Sequence, residues 1–217
     1  QTTAYDLSLG LVGSEMCIRD RGNTEAVPIV RVPYLDVPFI QRSLDSGAQG
    51  IMAPMVKTAE DAEKLVRATR YPPEGTRSWG GLRPSKYTLS SSEYLSNSND
   101  NMIVVLIIET LDAIKNLDSI TDVDGVDVLT IGKWDLSLAL GLDPSKQPHA
   151  DVEDVVKKVT DNAKNKGIEV AISASNPQEI REALSRGARV INYGPDYTLL
   201  SHAAKEGISV FRKSTGQ

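Results

Sequence analysis

The sequence predicts an α/β protein built on parallel strands with helices packed over them. Short β-branched runs alternate with helical patterns along the chain, and the strand candidates are apolar almost throughout. Glycine punctuates the joints between a helix and the next strand. A strand that is apolar on both faces belongs in a sheet covered on both faces, which is where parallel strands occur.

The elements follow in order. Ile29 to Val32 reads as the first strand, followed by an amphipathic helix over Val37 to Ser46 that stops at Gly47. Gly50 to Ala53 is the second strand. Thr58 opens the next helix with Asp61 three residues on, a shorter-armed capping box, and that helix runs to about Thr69. The Pro-, Gly- and Ser-rich stretch from Tyr71 to Asp100 reads as a long loop with a little helix around Ser91 to Leu95. Ile103 to Ile108, Val126 to Ile131, Glu169 to Ser173 and Val190 to Tyr193 complete six strands, the last three following Gly125, Gly167 and Gly187. Glycine suits such joints because it can adopt the left-handed conformation that ends a helix. Six units are two short of a closed (β/α)8 barrel. An open doubly wound sheet is the alternative, although no GxGxxG or P-loop follows the first strand. In a barrel the absent units precede Ile29, since residues 1–25 offer only one weak apolar run, Leu7 to Val12.

Composition narrows the function. The chain has 217 residues, 40% hydrophobic and 24% charged, as an ordinary globular domain does. A net charge of -5 without a basic block argues against nucleic acid. No apolar run approaches the roughly 18 residues of a membrane span, and no signal-peptide core is evident, so the expectation is a cytoplasmic protein without membrane contact. Cys17 is the only cysteine, and His149 and His202 are the only histidines. A disulfide framework and a Cys- or His-rich metal site are thus both out of reach.

Parallel βα architectures place their active sites at the C-terminal ends of the strands. Arg31, Glu109 and Asp135 occupy such positions. Two carboxylates without a Cys or His partner suit a hard divalent cation, Mg²⁺ or Mn²⁺, with open positions for water and a bidentate 2-oxo acid. Arg31 would neutralise an enolate oxygen or hold a carboxylate. The plainer reading is that all three are solvated charges or ion-pair partners, and Asp135 equally reads as a helix N-cap. His149 is expected at the surface and His202 in a structural position on the last helix. Trp79 and Trp134 are expected near the mouth, in reach of substrate, though loop packing is the commoner fate of such residues, and Asp151 to Lys166 reads as an ordinary solvated helix.

Six ordered motifs carry a family resemblance: VPIVRVPYLD (27–36), LDSGAQGIMAPMVKTAEDAE (44–63), YPPEGTR (71–77), IIET (107–110), VDGVDVLTIGKWDLSLALG (123–141) and INYGPDYTLL (191–200). The chain resembles the HpcH/HpaI aldolase family, of the 4-hydroxy-2-oxoheptanedioate and 2-keto-3-deoxy acid aldolase type. The resemblance implies a (β/α)8 TIM barrel of the phosphoenolpyruvate/pyruvate-binding type, here lacking about its first two βα units. It implies class II cleavage of 4-hydroxy-2-oxo acids to pyruvate and an aldehyde, by a homo-oligomer (a hexamer in the family). It also implies a divalent metal (Mg²⁺ or Mn²⁺, with Co²⁺ as an alternative) on Glu109 and Asp135, and Arg31 as the catalytic arginine. Gly132, Lys133, Trp134 and Asp135 form the turn whose amides would meet the substrate carboxylate.

The chain departs from the family pattern in three places. Ile107 stands where the family often has glutamine, and Lys133 replaces the proline of a Gly-Pro-x-Asp turn. No D-x-E-H motif is present, so the family's general-base histidine has no counterpart. Residues 11–21 (LVGSEMCIRDR) resemble translated adapter sequence, so residues 1–22 are expected to be non-native or disordered, ahead of one partial barrel domain over 23–217. The competing readings are a citrate-lyase-β or malyl-CoA-type lyase, an oxo-acid or carbohydrate binding module, and a catalytically defective fragment lacking the base.

Overall fold

A computed structural model describes residues 24–216 apart from residue 81, together with Ile18, Asp20 and Arg21. The expectations for Leu7 to Val12, for Cys17 and for most of the adapter-like run lie outside the described residues. The chain forms two compact units, Gln1–Val170 and Ala171–Gln217.

In the first unit, β1 (Ile29–Arg31), β2 (Gly50–Ala53), β3 (Ile103–Ile108) and β4 (Val128–Ile131) pair in parallel in chain order. The register places Arg31 beside Met52, Ala53 beside Leu106 and Ile108 beside Ile131. Sequential order without a reversal is that of a barrel wall and not of a doubly wound sheet, whose order turns back at a switch point. The helices of this unit are α1 (Val37–Asp45), α2 (Ala59–Thr69), α3 (Ser91–Ser98), α4 (Leu111–Lys115), α5 (Leu117–Thr121), α6 (Lys133–Ala139) and α7 (Ala150–Lys166). They pack in the order of the strands, α1 on α2, α2 on α5 and α5 on α7, with α2 against β3 and α7 against β4.

Periodicity explains the packing. Ile40 and Leu44 of α1, Leu65 of α2, Leu117 and Ile120 of α5, and Val156 and Val159 of α7 are buried, as are Ile51, Val104, Leu106, Ile108 and Leu129 of the strands. Five consecutive residues of β3, Val104 to Ile108, are buried, as an apolar strand covered on both faces requires. The Thr58–Asp61 capping box forms reciprocally at the start of α2. Gly125 and Gly167 take the positive φ expected of the joints before β4 and β5.

The second unit carries the last residues of β5 (Glu169–Ala174), then α8 (Pro177–Ser185), β6 (Val190–Tyr193) and α9 (Asp196–Thr215). Ala171 to Ala174 pair in parallel with Val190 to Tyr193. Asn176 caps α8, its side chain accepting from the backbone N–H groups of Gln178 and Glu179. No residue of α9 is buried, His202 included, so His202 has no structural place in a core.

Boundaries shift from expectation at several elements, the end of α1 at Asp45 among them. The first strand ends at Arg31, the fourth begins at Val128, the fifth extends to Ala174 and α3 runs to Ser98. Among the described residues no helix is long and apolar enough to cross a membrane.

Candidate active site

Strand geometry brings the site together. Glu109 follows the last residue of β3, Arg31 ends β1, and Asp135 lies in the first turn of α6, just beyond β4. Parallel pairing puts all three joints on one edge of the first unit's sheet.

Glu109 is only 3% exposed. One carboxylate oxygen, Oε1, accepts from the backbone N–H of Met55 at 2.7 Å. The other presses on Gly132, where a Cβ would lie 2.5 Å from Oε2 and 2.7 Å from the Glu109 Cβ. The missing side chain at Gly132 is thus what admits Glu109. Burial raises the Glu109 pKa above its ordinary value, opposed by the Met55 N–H. The nearby Asp135 carboxylate raises it further, both by charge and by a hydrogen bond that favours the protonated form, while the Arg31 guanidinium lowers it. Asp135 and Arg31 are therefore both within electrostatic reach of Glu109. Arg31 and Asp135 are exposed, so the buried member of the pair lies at the base of the site.

Met55 was not evident from the sequence. Its φ of 57° is left-handed, a conformation that a side-chain-bearing residue adopts at a cost, and this turn aims its N–H at Glu109. No residue-type signal marks such a position, because glycine is the usual occupant.

The turn that opens α6 is capped by Gly132 and carries Lys133, Trp134 and Asp135 in its first three helical positions. Asp135 is therefore not the N-cap; it sits in the first turn, where a carboxylate also suits the helix dipole. Amides at a helix start have no carbonyl four residues back to bond, and so remain available to a ligand. Lys133 does not leave its ammonium free at the mouth: Nζ lies 2.9 Å from Glu153 Oε1 of α7. Gln147 reinforces this outer tie through its Nε2, which donates to the Lys133 carbonyl and the Ser137 hydroxyl. Trp134, between Lys133 and Asp135, is 62% exposed.

Trp79 takes the commoner of its two expected fates, packing in its loop and not at the mouth. It packs on Tyr71 and Tyr94 with ring centroids 5.9 and 6.2 Å away, and Tyr71 lies just past the end of α2 that is remote from the strand ends. Loop packing is its role. His149 is partly exposed, and its Nε2 lies 2.7 Å from the Asp143 carbonyl.

The oxygen-only pair fits a hard divalent cation. A buried carboxylate held against a second one is a repulsive arrangement that such an ion relieves. Among the described residues no group of three or more His, Cys, Asp or Glu is arranged to hold a metal, so Glu109 and Asp135 would share the ion with water and substrate.

A parallel α/β chain with an acidic pair and an arginine at its strand ends has the layout of an enzyme acting on a small oxygen-rich anion. The family model for HpcH/HpaI aldolase/citrate lyase matches residues 17–203. The 4-hydroxy-2-oxo-heptane-1,7-dioate aldolase of Shigella flexneri is 38% identical over 190 residues, covering 87% of this chain and 70% of that protein. A crystal structure of an HpcH/HpaI aldolase/citrate lyase family protein from Burkholderia cenocepacia J2315 superposes with a TM-score of 0.84 at 29% identity, covering 92% of this chain and 79% of that one. An HpcH/HpaI aldolase from Desulfitobacterium hafniense DCB-2 gives 0.83 at 29% identity, covering 91% and 77%. The chain belongs to the HpcH/HpaI aldolase/citrate lyase family, and with it to a family of carbon–carbon lyases.

Proposed function

We propose that this chain is a metal-dependent aldolase that cleaves 4-hydroxy-2-oxo acids to pyruvate and an aldehyde. The observation that carries the reading is the buried Glu109 carboxylate held between the Met55 N–H and Gly132, facing Asp135 and Arg31. The 38% identity to a curated aldolase of this reaction type favours it over a citrate-lyase reading.

Glu109 and Asp135 would hold a divalent cation, Mg²⁺ or Mn²⁺, which when bound supplies Lewis acidity at the keto oxygen. Arg31 stabilises the negative charge that gathers on that oxygen as the bond breaks. The amides of Lys133, Trp134 and Asp135 receive the substrate carboxylate and orient the C3–C4 bond. Cleavage of that bond leaves its electron pair on the pyruvate fragment as the enolate, while the C4 hydroxyl gives up its proton as the aldehyde forms. C3 then takes up a proton to yield pyruvate. This chain has no D-x-E-H histidine to accept the hydroxyl proton, so water takes that proton and water returns one to C3. The six strands are read as six of the eight units of a (β/α)8 barrel, in a cytoplasmic homo-oligomer.

The test is pyruvate release from 4-hydroxy-2-oxo acids with added Mn²⁺, together with Mn²⁺ binding, in the chain and in Glu109→Gln. Metal-dependent release that disappears with metal binding in the variant supports the reading. Unchanged metal affinity in Glu109→Gln refutes the ligand assignment.

A further inference from the structure

Four successive strand–helix joints of the first unit each carry a large exposed apolar side chain. Tyr34 follows β1, Met55 follows β2, Leu111 follows β3 and Trp134 follows β4, each within three residues of its strand's end. They are 53%, 50%, 40% and 62% exposed. Adjacent parallel strands lie roughly 5 Å apart, so these side chains form a row and not scattered points. Isolated exposed apolar residues need no account, whereas a contiguous set at the mouth of a site marks a surface built to be covered.

Two of the four are tied to the site itself. The Met55 N–H bonds Glu109, and Trp134 directly precedes Asp135. Met55 also occupies a left-handed position where glycine would sit without strain, so a side chain is carried there at a cost. Tyr34 is set edge-on to Phe39, with ring centroids 5.5 Å apart.

Two of the charges at the same edge are already engaged. Arg31 faces Glu109, and the Lys133 ammonium is bonded to Glu153. Lys57 lies further along, two residues before α2; its backbone N–H and carbonyl are bonded to Asp61 and Asn116, and its side chain is exposed. The substrate in the name of the Shigella flexneri relative carries a carboxylate at both ends. Beside Glu109, the described residues put the exposed side chains of Met55 and Trp134 closer in sequence to the site than the Lys57 ammonium.

Resting on the aldolase reading above, we infer that the row Tyr34, Met55, Leu111 and Trp134 receives the aldehyde part of the substrate, and that this part is an apolar alkyl or aryl chain without a terminal carboxylate.

The experiment uses the chain as it stands, with Mn²⁺. Pyruvate C3 proton exchange is measured first, since it involves no aldehyde; its absence would remove the aldolase reading and this inference with it. Aldol addition of pyruvate is then compared for pentanal and for 4-oxobutanoate. The expected result is a kcat/KM about tenfold higher for pentanal, carried mainly by KM. Trp134→Ala should narrow that ratio severalfold, and Trp134→Phe should restore it. Equal or better use of 4-oxobutanoate, or a ratio unmoved by Trp134→Ala, overturns the inference. A Trp134→Ala variant that changes sedimentation but not the ratio overturns it too, and assigns the row to contact between copies of the chain.

Discussion

A methyl group added at Gly132 would meet the carboxylate of Glu109 at 2.5 Å, too close for any real contact. The backbone there has φ -80° and ψ 78°, so alanine is refused by crowding and not by conformation. Gly132→Ala should therefore displace Glu109 while leaving the fold intact. Misplacing a reacting group by about 1 Å can cost on the order of a hundredfold in rate. The expected outcome is a tenfold to hundredfold loss of Mn²⁺-dependent pyruvate release. Thermal melting should move little, and a variant with full activity would show that Glu109 does not need its seat on Gly132. At this scale the sequence was partly legible. Arg31, Glu109 and Asp135 could be picked because strand ends are where parallel sheets keep their chemistry. Met55 could not, because it acts through its N–H, which every residue except proline possesses.

The element with the clearest local logic is α2. The Thr58 hydroxyl accepts from the Asp61 N–H at 3.3 Å, and the Asp61 carboxylate accepts from the N–H groups of Lys57 at 2.9 Å and Thr58 at 3.2 Å. Thr58→Ala removes one arm, and the expected loss is about 1 kcal/mol in urea denaturation. A loss below a few tenths would mean that the Asp61 arm suffices alone. The same local logic made β2, β3 and β6 readable to the residue, since glycine or a turn bounds each apolar run. It failed between Tyr71 and Asp100. Lys86, Tyr87 and Thr88 take positive φ there without being glycine, and Arg77 is fully buried, neither of which composition announces. It failed also at Lys133, whose partner Glu153 lies on α7 in a helix that reads as merely solvated. Contacts between residues 20 apart are set by tertiary packing, on which local periodicity is silent.

At the scale of the molecule, Arg77 closes the α2–α3 connection onto the rest of the first unit. Its Nη2 pairs with Asp45 of α1 at 3.2 Å, and its guanidinium carbon lies 4.5 Å from the centre of the Tyr71 ring. Among the described residues its Nε and Nη1 have no hydrogen-bond partner. Removing one member of a buried pair costs about 3–5 kcal/mol. Asp45 keeps partial solvent access, so Arg77→Ala should fall near the lower end, about 3 kcal/mol by chemical denaturation. A loss under about 1 kcal/mol would make the pair no stronger than a surface one.

Tyr71 beside it makes the unit's stability sensitive to alkali. Burial pushes its pKa well above the ordinary value of 10.0, only partly opposed by the Arg77 charge, and the neighbouring Tyr94 hydroxyl raises it further by charge and by hydrogen bonding. A group whose folded pKa is raised binds its proton more tightly in the native state. The stability this confers is fully present below the unfolded value, near pH 10, and is lost as pH rises from there through the folded value. The wild-type chain should therefore lose stability progressively above pH 10, beyond what its exposed tyrosines produce. Tyr71→Phe keeps the ring under Arg77 and removes the titrating group. At pH 7 the two proteins should differ by no more than about 1 kcal/mol, the net worth of a single hydroxyl hydrogen bond. Its melting temperature should fall less steeply than the wild type's between pH 9 and about 11, the window in which unfolded tyrosine ionises. Parallel curves for the two proteins across that window would mean that water reaches the Tyr71 hydroxyl, and that the cluster around Arg77 is not the dry plug its burial describes.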